Sequence, residues 1–286
     1  MYGMINVSAY KFTPLCREQL PILKEKLLTQ AKRLNIKGTI LLSTEGINAF
    51  FSGEKDVINS FKTFLCTISE FANLPFKDSL SEEQPFSRML VRIKKEIISM
   101  GVDSVVPHEH TAPYISANDL KHAYESDEPP IILDTRNDYE IQLGKFHNAL
   151  ELDIKSFRDF PKAIQKLPDN LKSKKIVTYC TGGIRCEKAA ELMQQAGFQD
   201  VHQLEGGILK YFEECGGEHY EGECFVFDKR VGVNSALEET DTKQCFACRM
   251  PLTIADQVNF PTCPHCGGNA ALGKRARERQ AAQNHE

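Results

Sequence analysis

Ile176-Val177-Thr178-Tyr179-Cys180-Thr181-Gly182-Gly183-Ile184-Arg185-Cys186-Glu187-Lys188-Ala189-Ala190 is a short apolar run that ends on a cysteine, crosses two glycines and enters a stretch of helical spacing. Such a run, bounded by turn residues, reads as a buried strand delivering a loop to a helix. The helix is expected to begin near Glu187 and to run through Ala189, Ala190 and Met193. Similar units lie on either side. Ser116-Ala117-Asn118-Asp119 caps a helix that reaches Tyr124, Ile131-Ile132-Leu133-Asp134 is a second short strand, and Val201-His202-Gln203-Leu204 before Gly206-Gly207 is a third. Strands separated by helices pair in parallel, and the ligands of such a sheet gather at the carboxyl ends of its strands. Cys180 stands at one of those ends.

A thiol acts as a nucleophile only when ionised, and its ordinary pKa of about 8.5 leaves a minority of anion at neutral pH. Gly182 and Gly183 can turn backbone N–H groups toward the sulfur, the following helix contributes the positive end of its dipole, and Arg185 adds a full charge at the rim. All three favour the thiolate. This reading requires a ring of inward-facing amides and a sulfur that solvent can reach. Thr181 and Ile184 complete the loop, and Cys186 either resolves an oxidised Cys180 or packs at the helix start. The bland alternative for Cys180 is a buried structural thiol. Four residues separate Cys180 from Arg185, where a phosphate cradle would favour five, and Tyr179 stands where phosphatases of this kind carry histidine. Phosphoryl transfer is disfavoured. Asp134 and Arg136, on an adjacent strand end, either orient the loop or form a salt-bridged turn.

Residues 1–100 follow the order strand, helix, strand, strand, helix, strand, the pattern of a ferredoxin-like (acylphosphatase-like) α+β domain. Strands are expected at Met4–Phe12, 38–43, 49–51 and 88–98, and helices at 17–34 and 54–66. Residues 101–113, with two prolines and little periodicity, read as a linker, followed by an α/β domain over 114–232. Two Cys-x-x-Cys knuckles, Cys245/Cys248 and Cys263/Cys266, are separated by fourteen residues within a segment spanning 240–270. Four thiolates so spaced make a closed, structural zinc site, with His265 as a spacer and Gly267 freeing an N–H to face sulfur. A basic tail, 271–286, contains Lys274, Arg275, Arg277 and Arg279.

The chain has 286 residues, 41% of them hydrophobic and 26% charged, with a net charge of −4. These values suit a folded protein of two modest domains and exclude one that coats nucleic acid uniformly. No apolar run approaches the ~20 residues of a membrane span, and residues 1–6 lack the pattern of a signal peptide. A cytoplasmic protein is expected, whose ten cysteines serve as metal ligands, thiols and buried apolar groups instead of disulfides. Any RNA contact must be local. Arg88, Arg92, Lys94 and Lys95, on or near one expected strand, are candidates for holding the phosphates of an RNA loop, or else protect a solvated strand edge. No contact with DNA or membrane is expected.

Leu133-Asp134-Thr135-Arg136 and the looser Gly144-Lys145-Phe146-His147-Asn148-Ala149 resemble the first strand and the Gly-His-x-x-Gly-Ala segment of rhodanese domains. Ser43-Thr44-Glu45-Gly46-Ile47-Asn48-Ala49, Val91-Arg92-Ile93-Lys94-Lys95-Glu96-Ile97, the Cys180 loop and Gly222-Glu223-Cys224-Phe225-Val226-Phe227-Asp228-Lys229-Arg230 extend the likeness along nearly the whole chain. Together they resemble the bacterial rhodanese-domain tRNA uridine hydroxylases. The resemblance implies conversion of the wobble uridine of tRNA to 5-hydroxyuridine, with dioxygen as co-substrate and Cys180 as a persulfide-forming residue. The sequence carries neither a flavin fingerprint nor paired histidines with a carboxylate for iron, which leaves the electron donor unassigned. Two other classes are weighed beside it: a sulfurtransferase carrying sulfane sulfur on Cys180, and a non-catalytic zinc-bearing RNA adaptor.

Overall fold

In the computed structural model, which describes residues 3–272, the first domain comprises β1 (Met4–Phe12), α1 (Leu20–Arg33), β2 (Lys37–Ser43), β3 (Gly46–Gly53), α2 (Lys55–Cys66), β4 (Phe76–Ser81) and β5 (Met89–Ile93). Across the sheet the order is β4-β1-β3-β2-β5. β3 lies antiparallel between β1 and β2, and β4 closes the ferredoxin-like unit antiparallel to β1. Ile58, Phe61 and Leu65 of α2 join Leu20, Leu27 and Ala31 of α1 in one core with the sheet. Their spacing of three, four or seven residues, one or two helical turns, is the periodicity that marks both helices in the sequence.

The last strand of this unit differs from the sequence expectation. It is residues 76–81, and the strand expected over 88–98 is a shorter fifth one, Met89–Ile93, parallel to β2 on the opposite edge. Phe76-Lys77-Asp78-Ser79-Leu80-Ser81 lacks an apolar face because it is an edge strand, held by its ladder to β1. Beyond Ile93 the chain leaves the sheet: the Glu96 carboxylate accepts the Met100 and Gly101 N–H groups, and Ile97 N–H donates to Glu45 Oε1.

The second domain contains β6 (Tyr114–Ile115), α3 (Ala117–Tyr124), β7 (Ile131–Asp134), α4 (Asp138–Ile141), β8 (Gly144–Phe146), α5 (Phe160–Ile164), β9 (Lys175–Tyr179), α6 (Ile184–Gln195), β10 (Asp200–Leu204), α7 (Gly207–Cys215) and β11 (Tyr220–Gly222). Its four parallel strands lie in the order β6-β10-β9-β7. β9 has an apolar core on each face: Val177 and Tyr179 pack with Ile208 and Tyr211 of α7, Ile176 with Ala189 and Met193 of α6. Burial on both sides explains why it reads as an apolar run without alternation. Residues 101–113 join the domains and place Val105 and Ala112 in the α6 core. After the short pair β12 (Cys224–Phe225) with β13 (Gly232–Val233), the four-cysteine segment ends the described chain and contains the pair β14 (Lys243–Gln244) with β15 (Pro251–Leu252), whose connection carries Cys245 and Cys248. Lys274, Arg275, Arg277 and Arg279 lie outside the described residues. Among the described residues no helix is long and apolar enough to cross a membrane.

Candidate active site

Three elements fix the loop that follows β9. Thr135, just past β7, donates both its N–H and its hydroxyl to the Tyr179 carbonyl, at 3.1 and 2.8 Å. The first turn of α7 donates Ile208 N–H to Cys180 O and Leu209 N–H to Thr181 O, at 3.0 and 3.1 Å. Gly207 is obligatory between them: its φ is +67°, and a Cβ there would stand 2.3 Å from the Cys180 carbonyl. The Thr181 hydroxyl donates to Phe225 O at 3.3 Å, which ties the loop to β12.

The sulfur's own surroundings correct the expectation in three respects. Gly183 N–H donates to Cys180 Sγ at 3.1 Å, with the carbonyl of the same peptide, Gly182 O, turned away toward the first domain, and the Arg185 N–H also favours the anion, so two amides serve the sulfur instead of a ring. The helix starts at Ile184, three residues earlier than expected, which brings its end directly onto Cys180. Arg185 is buried, not at the rim: its guanidinium makes a two-pronged pair with Glu140 of α4, at 2.7 and 2.6 Å. Burial opposes ionisation of Cys180, yet the hydrogen bond from Cys186, the Arg185 charge and the two amides together hold the thiol well below the usual range. Cys186 is buried and raised, first by desolvation and then by Cys180, so it stays protonated.

Cys180 is 1% exposed. A sulfur open to solvent was expected; it is covered by the first domain. A side chain on Gly183 would strike the Tyr10 hydroxyl of β1, 2.9 Å from its Cβ, and Lys77 Nζ of β4 donates to Gly182 O and Gly206 O, both at 2.7 Å. Tyr10 donates to Glu187 Oε1 of α6, which also receives the Tyr114 hydroxyl, while Thr111 bonds the other oxygen. Deeper along α6, Lys188 Nζ is buried between Glu45 and Glu96 of the first domain, at 2.7 and 2.9 Å. None of Tyr10, Lys77, Glu140, Glu187 or Lys188 was singled out from the sequence. Asn137-Asp138-Tyr139-Glu140 has the spacing of a capping box, and its Glu140 half is present at α4, where Oε1 accepts the Asn137 N–H at 3.2 Å.

Asp134 and Arg136 form the salt-bridged turn. The guanidinium spans both Asp134 oxygens and bonds Gly144 O at 2.7 Å, with no donor aimed at the cysteine loop. Arg88, Arg92, Lys94 and Lys95 are exposed just before, on and after β5, far across the sheet from β4, and Lys95 pairs with Asp103. Lys94 and Lys95 line a cleft of about 650 Å³ whose walls also hold Glu45, Glu96, Asp103 and Lys188, so its charge is mixed. Phe227 is 49% exposed, and its ring meets the Arg185 guanidinium at 5.8 Å.

Cys245, Cys248, Cys263 and Cys266 converge with their sulfurs within 4.8 Å of one another. The Cys245–Cys266 and Cys248–Cys263 separations are 3.9 and 3.7 Å. A tetrahedral ion with bonds of about 2.3 Å to sulfur needs edges of about 3.8 Å. The four thiols therefore fit a metal ion. Gly267 does not serve as expected: its N–H donates to Cys263 O, and Gly268 supplies the N–H on the Cys266 sulfur.

Residues 4–97 match the UPF0176 acylphosphatase-like domain, and residues 116–214 match the rhodanese-like domain. The tRNA uridine(34) hydroxylase of Cupriavidus taiwanensis is 47% identical over 275 residues, covering 93% of this chain and 97% of that protein. The chain belongs to the tRNA uridine(34) hydroxylase family. Members from Ralstonia nicotianae and Paraburkholderia xenovorans are 44% and 42% identical over 94% and 96% of this chain, and 98% and 100% of theirs. Among solved structures, a rhodanese-like domain from Anabaena sp. is 31% identical, covers 38% of this chain and 91% of its own, and has a TM-score of 0.31. A Staphylococcus aureus rhodanese-like domain protein covers 38% of this chain and 96% of its own at 27% identity, with a TM-score of 0.32. The span shared with these relatives includes both domains, so the two-domain arrangement belongs to the family.

Proposed function

We propose that this chain hydroxylates the wobble uridine, position 34, of tRNA, with Cys180 as the reactive centre. The observation that carries this reading is similarity over 97% of the length of a curated relative bearing that activity as its name. The support for Cys180 is local: an anion-favouring loop at the carboxyl end of a parallel sheet, with the Arg185 charge and two amides on the sulfur. Replacing the C5 hydrogen of uridine by hydroxyl with dioxygen leaves one oxygen atom to become water, which consumes two electrons and two protons. Cys180, held as an anion, is the nucleophile of the site. Because the thiol is covered by Tyr10 and Lys77, the base must reach it by displacing part of the first domain or of the loop.

Phe227, half-exposed beside Arg185, offers an aromatic face on which an unstacked base can lie. Arg88, Arg92 and Lys94 make no ion pair among the described residues and suit the phosphates flanking the anticodon loop. β5 is four strand spacings from β4, about 19 Å at ~4.8 Å each, so these cations grip backbone away from the reacting base. The four cysteines hold zinc as a closed structural site, with no open position for substrate. An enzyme acting on tRNA works in the cytoplasm.

Nucleoside mass spectrometry of tRNA decides the matter. A strain lacking the gene should lose 5-hydroxyuridine, wild-type chain should restore it, and Cys180→Ser should not. Full restoration by Cys180→Ser would remove the cysteine from the reaction; unchanged modification in a deletion strain devoid of parallel enzymes would remove the function.

A further inference from the structure

Arg185 lends Cys180 its charge while its guanidinium is held prong for prong by the buried Glu140 carboxylate. A second cation reaches the loop from 105 residues earlier in the chain. Lys77 stands on the edge strand β4, and its ammonium spans the two turns that shape the thiol's pocket: Gly182 O in the cysteine loop and Gly206 O at the head of α7. No carboxylate of the described residues lies within ion-pair distance of it; Glu205, nearby, is paired with Lys210. We propose that Lys77 is a positioning residue of the Cys180 site, clamping both glycine turns around the sulfur and bringing to them a cation that no carboxylate neutralises. The proposal rests on Cys180 being the reactive centre.

A hydrogen-bond clamp alone does not account for a lysine here. A neutral donor would satisfy the two carbonyls without the cost of burying a charge. Desolvation pulls the amine down to about 8, and the Cys180 anion is the foremost charge opposing that fall. The part-buried ammonium and the buried thiolate therefore favour one another's charged forms, Lys77 adding to the larger effects of Cys186, Arg185 and the two amides on the sulfur. Among the other groups about them, Cys186 and Tyr10 are held neutral by burial and Glu205 and Lys210 offset each other, while Arg185, though paired with Glu140, still favours the anion, so that Lys77 acts beside it. The arrangement also makes the site a product of two domains: a rhodanese fold alone would have the loop without the clamp.

The test is a titration of Cys180 in the full-length protein without tRNA, reading its alkylation by iodoacetamide with peptide mass spectrometry as a function of pH. Two quantities separate. Loosening the cover over Cys180 raises the plateau rate, whereas losing a nearby charge moves the pH midpoint. Lys77→Met is expected to move the midpoint upward by about half a unit or more, a threefold loss of thiolate at a fixed pH below it. Lys77→Arg should return it toward wild type, and Lys62→Met, whose lysine pairs with Asp78 outside the site, should leave it unchanged. Lys77→Gln, a neutral donor able to keep a carbonyl contact, carries the same test if the methionine variant does not fold. With tRNA, the neutral variants should lower kcat more than they raise KM. A midpoint unmoved in folded Lys77→Met or Lys77→Gln would reduce Lys77 to a structural clamp and overturn the proposal. Since no substrate is present, that failure would stand apart from any failure of the hydroxylase reading, which nucleoside analysis tests by itself.

Discussion

Arg185 and Glu140 meet inside the protein, where neither charge has water to fall back on. Removing one partner of such a pair costs about 3–5 kcal/mol, because the other is left buried and uncompensated. Glu140→Gln and Arg185→Met should therefore be destabilised to a similar degree in urea unfolding, while their effects on the thiol oppose each other. Glu140→Gln leaves a bare guanidinium beside the sulfur and should move the Cys180 alkylation midpoint to lower pH; Arg185→Met removes the attraction and should move it to higher pH. Shifts of the same sign in both variants would mean that loop distortion, not charge, controls the thiol. Glu140 was passed over in the sequence because its partner Arg185 lies 45 residues away, and no local pattern announces a pairing across that distance.

At the scale of elements, the turn from β10 into α7 is what closes the pocket from the side. Gly207 and Gly197 both have positive φ, +67° and +92°, but their surroundings differ: a Cβ on Gly207 would stand 2.3 Å from Cys180 O, whereas one on Gly197 meets nothing within 4 Å. Gly197→Ala should cost only the strain of a left-handed L-residue, about 1–3 kcal/mol. Gly207→Ala adds a backbone collision, so it should lose clearly more stability in thermal unfolding and slow Cys180 alkylation; equal losses would show that the loop yields freely. The elements themselves were legible to different degrees for physical reasons. β9, α1 and α2 announce themselves because burial forces an apolar run or a helical period on them. β4 does not, since an edge strand with one buried residue needs no such pattern, and with it went Lys77. The cysteine loop was readable because its glycines, cysteine and arginine are contiguous; its cover was not, because it is assembled from Tyr10 and Lys77 on separate strands.

For the molecule as a whole, the seal over Cys180 depends on how firmly the two domains hold each other, and α6 carries much of that contact through Lys188, buried between Glu45 and Glu96. Glu96 loses some affinity for its charged form by desolvation, but the N–H groups of Met100 and Gly101 and the Lys188 ammonium outweigh this and lower its pKa. A carboxylate whose pKa is depressed on folding stabilises the folded state fully above its unfolded value of about 4.3, and that contribution fades as pH falls through the lower folded value. The domain contact is thus at full strength at neutral pH and weakens only in acid. Glu96→Gln keeps the shape but not the charge, leaving the buried Lys188 with Glu45 alone. Its melting temperature should lie furthest below wild type near pH 7, and the two curves should converge as the pH drops below about 4. Cys180 alkylation at pH 7 should rise in the same variant, because the cover is held less tightly. A melting difference that persists unchanged into acid, or a cysteine no more accessible than in wild type, would show that the carboxylate's charge does not hold the domains together over the sulfur.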